Sequence, residues 1–134
     1  MRVRATAVVI KDKKLLMIHR FKDPEEYFVL PGGGVEDGET YEKAAIRELK
    51  EETSLDSEVK EKLIEYKDIR GEYHVLFLCN PKNNLEVKLE DGSIELQIMN
   101  EQNKFKPEWV DINKLIDLTI YPKEEKEFLL NYLK

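Results

Sequence analysis

Glu48, Glu51 and Glu52 are the side chains of this chain whose type and spacing could do chemistry. They lie in residues 40–53, a stretch without Gly or Pro that opens on Thr40 as a candidate N-cap, so a helix is expected. The capping box is incomplete, because Lys43 stands where Glu or Gln would complete it. At about 100° per residue the three carboxylates fall at roughly 0°, 300° and 40° and share one strip. Carboxylates about 6 Å apart repel by roughly 3 kcal/mol per pair at an effective dielectric near 20. Arg47 can pair with Glu51 four residues on, but one ion pair does not offset that repulsion. A divalent cation does. Mg²⁺ takes oxygen ligands and is commonly shared between one or two carboxylates and a substrate phosphate. The competing reading of the same strip is a solvated acidic face.

The residues before the helix bear on that choice. Gly32, Gly33 and Gly34 follow the apolar run "EYFVL" and Pro31, and Gly38 comes just before Thr40. Glycine permits positive φ and lets backbone approach another group closely. A loop that presents N–H or C=O groups, followed by an acidic helix, suits a phosphate-plus-metal site. The plainer reading is a wide turn between strand and helix. No GxxxxGK[ST] loop is present, and "LEDGSIE" lacks the alternating oxygen ligands of an EF-hand.

The elements that must hold this loop and helix can be read along the chain. "VRATAVVI" and "KLLMIHR" flank the polar "KDK" and read as a hairpin. "SEVKEKLIEYKDI" is ambiguous between strand and helix. In the strand "EYHVLFLCN", Tyr73, Val75, Phe77 and Cys79 share one face, while His74, Leu76 and Leu78 share the other. "LEVKLEDGSIELQIM" reads as a hairpin around Asp91-Gly92. "EWVDINKLI" reads as a strand end and a short helix. Pro122 suits the first position of a last helix with an apolar stripe of Phe128, Leu129, Tyr132 and Leu133. Hairpins appear where a parallel sheet would need crossovers, so an α+β fold is expected, a mixed sheet packed between helices.

Composition narrows the classes. The 134 residues show no repeats, low-complexity tracts or linkers, so one domain over 1–134 is expected. The net charge of −6 disfavours stable nucleic-acid binding, yet an acidic protein still binds polyphosphate through a metal ion. Cys79 alone allows no intrachain disulfide and no zinc finger, and reads as a buried small hydrophobe. The apolar run near the N-terminus is too short for a signal peptide or a membrane span, so a cytoplasmic protein without membrane contacts is expected, monomeric or homodimeric.

The stretch Gly33 to Leu55 resembles the Nudix box, G-x5-E-x7-R-E-U-x-E-E-x-G-U with U aliphatic. Gly33, Glu39, Arg47, Glu48, Leu49, Glu51, Glu52 and Leu55 match, and Ser54 stands where the family has glycine. The "LPGG" before it and the later "PEWVDINKL" are also similar to the family. The resemblance implies an α/β/α sandwich and Mg²⁺-dependent hydrolysis, with Mn²⁺ as an alternative ion, of a nucleoside diphosphate linked to another group. It implies that Glu48, Glu51 and Glu52 ligate metal together with a glycine-loop carbonyl, that of Gly33. Arg47 would orient the glutamates, and Glu39 would hold the loop–helix geometry or bind metal through water. At Ser54 the family's glycine would take the left-handed conformation, and serine there costs on the order of 1 kcal/mol.

The general base in this family varies between a box glutamate and one on a later loop. Glu48 is the helix candidate, and Glu101 is the favoured loop candidate with Glu95 behind it. Gly33 and Gly34 are candidate substrate contacts. Arg20 is a candidate phosphate contact, or else a surface charge. Phe21, Tyr27 and Phe28 lie near the site in sequence, and packing is the safer reading for each, as it is for Trp109. His19 and His74 lack a cluster and read as structural. The nucleotide-type substrate stays open among nucleoside triphosphates, ADP-ribose, nucleotide sugars and dinucleoside polyphosphates. A non-hydrolytic module that senses ADP-ribose is the alternative function, and its mark would be loss of box glutamates.

Overall fold

The computed structural model describes residues 2–82, 86–89 and 93–134. In chain order it holds β1 (Val3–Val8), β2 (Ile10–Lys11), β3 (Lys14–Lys22), β4 (Glu25–Val29), β5 (Gly32–Gly34) and α1 (Tyr41–Thr53). Then follow β6 (Ser57–Lys67), β7 (Tyr73–Pro81), α2 (Ile94–Ile98), β8 (Asn103–Asp111), a 3₁₀ helix (Ile112–Asp117) and α3 (Lys123–Tyr132).

Two sheets form, each of four strands. The first runs β5-β1-β7-β6 and is mixed, with β1 parallel to β7 and antiparallel to β5. The second is centred on β3, which pairs with β8 over Lys14–Lys22. Its other edge is shared between β2 and β4. The expected hairpin therefore survives only as Ile10–Lys11 against Lys14–Leu15, through a tight turn in which Asp12 and Lys13 both have positive φ. The preceding strand instead leaves for the first sheet. Ala5 to Val9 are all buried, as a central strand covered on both faces requires.

The two faces of the first sheet support two cores. Ala5, Ala7, Val75, Phe77 and Cys79 pack against Ala44, Ala45 and Leu49 of α1. The small residues on both sides let the helix lie close to the sheet. On the opposite face Val8 and Leu76 meet Leu15, Met17 and Phe28 of the second sheet, Leu115 of the 3₁₀ helix and Leu129 of α3. The face assignment expected for Tyr73–Cys79 holds. This is the mixed-sheet α+β arrangement expected. Burial pushes the Cys79 thiol up to about 12, consistent with an inert core residue.

Three local readings resolve differently or more sharply. The ambiguous stretch after residue 56 is the long strand β6. The Asp91-Gly92 turn lies outside the described residues, but 94–98 form α2, whose N-cap Ser93 accepts from the Leu96 N–H, and not a second hairpin strand. Pro122 is the N-cap of α3, one residue before its first helical position.

Ser54 does adopt the left-handed conformation, with φ 67°, and its N–H closes α1 on the Lys50 carbonyl at 2.9 Å. Its hydroxyl donates to the Lys88 carbonyl at 2.8 Å, an interaction that glycine could not make. Ser54→Ala keeps the backbone strain and loses the bond, so chemical denaturation is expected to show a loss of about 1 kcal/mol. Ser54→Gly relieves strain while losing the same bond, and is expected to stay within about 1 kcal/mol of the natural protein.

Candidate active site

The glycine run is strand β5, laid against β1 with Gly33 opposite Ala5 and Gly34 opposite Arg4. Its glycines serve close approach, because only Gly38 and Gly71 among the described glycines have positive φ. A Cβ on Gly33 would lie 2.5–2.6 Å from the Glu48 carboxylate, a distance that real contacts do not reach. Helix α1 starts on Thr40, whose hydroxyl accepts from the Lys43 N–H at 3.1 Å. Its glutamate edge then faces β5.

Arg47 binds the loop to the helix. Its Nε and one terminal nitrogen donate to the two oxygens of Glu39 at 2.8 and 3.0 Å. It also donates to the Gly34 carbonyl at 3.0 Å and to Glu48 Oε1 at 2.8 Å. Glu36 and Glu51 stand at 3.1 and 3.5 Å from the same guanidinium. Five partners on one side chain suit the rigid donor fork of arginine. The Arg47 pairing holds the Glu39 carboxyl below its usual range and holds Arg47 firmly charged.

The three helix glutamates sit in different surroundings. Glu52 is buried, and its Oε1 accepts the Gly32 N–H at 2.9 Å. Burial, then the charge of Glu48, push its carboxyl well up. Glu48 is likewise raised, first by burial, with Arg47 opposing and Glu51 and Glu95 adding to it. Glu51 is the most open of the three, with a side-chain exposure of 45%. Two raised carboxyls beside backbone that only glycine leaves open fit the donor chemistry of a hard divalent cation.

Part of this edge lines a cleft of about 790 Å³, whose wall does not include Glu39, Arg47 or Glu51. Gly33, Gly34, Glu48 and Glu52 lie in its wall, and so do Arg20 and Glu95. Arg20 lies over the Phe105 ring at 3.7 Å and donates to Asn103 Oδ1 at 2.8 Å. Its Nε is buried without a partner. Glu101 is an exposed turn residue before β8 and does not line the cleft. Of the two loop candidates, α2 carries Glu95 to the cleft wall. Tyr27 lines the cleft, Phe28 is core, and Trp109 packs against the α1 core. His19 stacks on Phe28 at 4.2 Å.

Sequence reasoning missed a second group in the same cleft. Arg2, Arg4, Arg70, Glu72, His74 and Glu125 line its far part. Arg2 and Arg4 come from β1 and the residue before it, Arg70 and Glu72 from the β6–β7 turn, His74 from β7 and Glu125 from the last helix, and no local spacing connects these three stretches of chain. Among the described residues, Asp68, Glu72 and His74 are the one group of three such side chains whose ligand-type atoms all lie within 4.8 Å of one another.

Glu39 gives a pH dependence with a definite sign. Its folded pKa is depressed below 4.5, so its contribution is present above that value and lost as pH falls through the folded pKa. Melting temperatures measured from pH 7 down to pH 3 are expected to drop on the acid side. Glu39→Gln is expected to melt lower at pH 7 and to show a shallower acid limb. An unchanged limb would mean that the Arg47 pairing contributes nothing to stability.

The geometry has counterparts among known proteins. Over 107 residues the chain is 37% identical to the ADP-ribose pyrophosphatase of Methanocaldococcus jannaschii, covering 75% of this chain and 63% of that protein. Over 48 residues it is 44% identical to the RNA pyrophosphohydrolase of Pelagibacter ubique, covering 36% of this chain and 30% of that one. The matches thus span less than two thirds of either relative. A NUDIX-family hydrolase from Clostridium perfringens has the same fold, with a TM-score of 0.73 at 15% identity over 98% of this chain and 95% of that one. The E. coli ORF135 protein superposes with a TM-score of 0.71 at 18% identity, covering 99% and 89%. The model of the NUDIX domain matches residues 1–132, and with the Arg47-bound glycine strand and glutamate edge in place, the chain belongs to the NUDIX family.

Proposed function

We propose that this chain is a divalent-cation-dependent pyrophosphohydrolase. It cleaves the diphosphate of a nucleoside diphosphate linked to another group, with ADP-ribose as the best-supported representative. The observation that carries the reading is the glutamate edge of α1 held against Gly33 by Arg47, inside a cleft wide enough for a nucleotide. The name of the M. jannaschii relative supports the substrate class. Loss of box glutamates would mark a binding-only module, and Glu39, Glu48, Glu51 and Glu52 are all present.

Glu48, Glu51 and Glu52 would hold Mg²⁺, or Mn²⁺ in its place, together with the Gly33 carbonyl. When bound, such ions neutralise phosphoryl oxygens and lower the pKa of a water. The protein's own groups do the rest. Arg47 fixes the direction of Glu48 and the distance between helix and glycine strand. Gly33 and Gly34 bring bare backbone to the diphosphate. Arg20, clamped on Phe105 in the cleft wall, offers its guanidinium to a phosphate oxygen. Glu48 or Glu95 takes the proton of the attacking water. Glu95 replaces Glu101 as the loop candidate because it lines the cleft and its charge reaches both Glu48 and Glu52. A cytoplasmic setting with abundant Mg²⁺ suits this chemistry.

Mg²⁺-dependent release of AMP from ADP-ribose, followed by mass, tests the reading. Glu51→Gln and Glu52→Gln are each expected to lower turnover at least a hundredfold with the fold retained. Near-normal turnover in either variant would remove that residue from the metal set. Glu95→Gln is expected to lower turnover about tenfold or more, and Glu101→Gln to change it less than twofold.

A further inference from the structure

Strand β1 turns alternate residues to the two sides of the first sheet. Ala5 and Ala7 seat α1 on one side. Arg4, and Arg2 just before the strand, line the cleft on the other. Arg4 lies opposite Gly34 on β5. The Arg2 guanidinium lies against the same glycine, since a Cβ on Gly34 would stand 3.5 Å from its Nε and Nη2. Two guanidiniums therefore flank the glycine strand whose Gly33 faces Glu48.

The way these arginines are held leaves their outer nitrogens open. Each approaches Glu72 through Nε, Arg4 at 3.8 Å from Oε1 and Arg2 at 3.9 Å from Oε2. Both distances are ion pairs, beyond good hydrogen-bond length. Among the described residues neither guanidinium makes a hydrogen bond. One carboxylate between two guanidiniums leaves positive charge over. The next carboxyls are engaged elsewhere: Asp68 accepts the N–H groups of Arg70 and Glu72 and bonds to His74, and Glu125 accepts the Tyr66 hydroxyl.

The charge of Arg4 also acts on Glu52, at the glutamate edge. Arg4 nevertheless forms no ion pair with Glu52 within 4 Å, as a plain counterion would. A gap with a carboxylate on one side and uncommitted N–H donors on the other suits a phosphoryl group, because its oxygens accept from arginine while facing the edge that would hold the cation.

We propose that Arg4 is a further diphosphate-binding residue of the cleft, its Nη groups donating to a phosphoryl oxygen, with Arg2 adding its charge. This rests on the pyrophosphohydrolase reading and deepens it. The diphosphate is held from both sheets, by Arg20 on β3 of the second and by Arg4 on β1 of the first.

The test reads kcat/KM for ADP-ribose and, separately, calorimetric binding of α,β-methylene-ADP, a non-hydrolysable diphosphate analogue, in Mg²⁺. Arg4→Ala is expected to lower kcat/KM about tenfold or more and to weaken binding of the analogue by a similar factor, the scale of one charge-assisted hydrogen bond. Arg70→Ala removes the same charge from the same end of the cleft and is expected to change either quantity less than about threefold. An equal loss in both variants would mean a diffuse field in place of a contact, and would overturn the proposal. Arg4→Lys keeps the charge and loses the planar fork, and is expected to bind the analogue about threefold or more weakly than the natural protein. Unchanged binding in Arg4→Ala, or in Arg4→Lys where the alanine variant folds poorly, also overturns it. If the natural protein leaves ADP-ribose intact yet binds the analogue, the hydrolase reading fails while the calorimetry still decides on Arg4. A natural protein that does not bind the analogue removes the contact as well.

Discussion

The guanidinium of Arg47 is the constraint on which the site depends. One planar fork reaches Glu39, Glu48 and the Gly34 carbonyl, and so joins the start of the helix, its working edge and the glycine strand. A lysine would offer one point charge and could not span those three directions. Glu39 in turn accepts the Glu36 N–H at 3.1 Å, so the loop before the helix is tied to the same knot. Among the described residues, the one further hydrogen bond that sets the distance between β5 and the glutamate edge is that of the Gly32 N–H to Glu52 Oε1.

That distance matters because the edge is electrostatically unfavourable by itself. Glu52 is buried beside the charge of Glu48, and both carboxyls are raised. Burying a carboxylate costs several kcal/mol unless it is paired or hydrogen-bonded. The Gly32 N–H on Glu52 and the Arg47 N–H on Glu48 offset part of that cost. The remainder is a standing preference for positive charge at the edge. Stability is given up locally at the place where binding energy is needed, a common arrangement at functional sites.

The rest of the fold holds this edge at a fixed height. Ala44 and Ala45 seat α1 on Ala5 and Ala7, and larger residues on either side would lift the glutamates from β5. The second core sets the other wall of the cleft by packing β3, the 3₁₀ helix and α3 beneath the first sheet. The two walls differ in chemistry. Matched arginines and carboxyls stand on one side, and an arginine clasped by aromatic rings stands on the other.

By itself the sequence determined what is local. The helix from Thr40 and the glutamate strip follow from residue types and spacings over 40–53, while the expectations for Arg47, Glu39 and the left-handed residue at 54 came from the resemblance to the Nudix box. The two faces of Tyr73–Cys79 follow from period two. Tertiary structure decided what depends on partners far along the chain. Whether the stretch after residue 56 is strand or helix turned on its pairing with β7, because its polar alternation suits either state. The first hairpin gave way because β1 pairs with β5 and β7 in the first sheet, where Ala5 to Val9 are buried. Glu95 reached the cleft and Glu101 did not, since the path of α2 sets their positions and no motif spacing does. The Arg4–Glu72–His74–Glu125 group joins residues up to 121 positions apart, and only packing of α3 on the sheet brings them together.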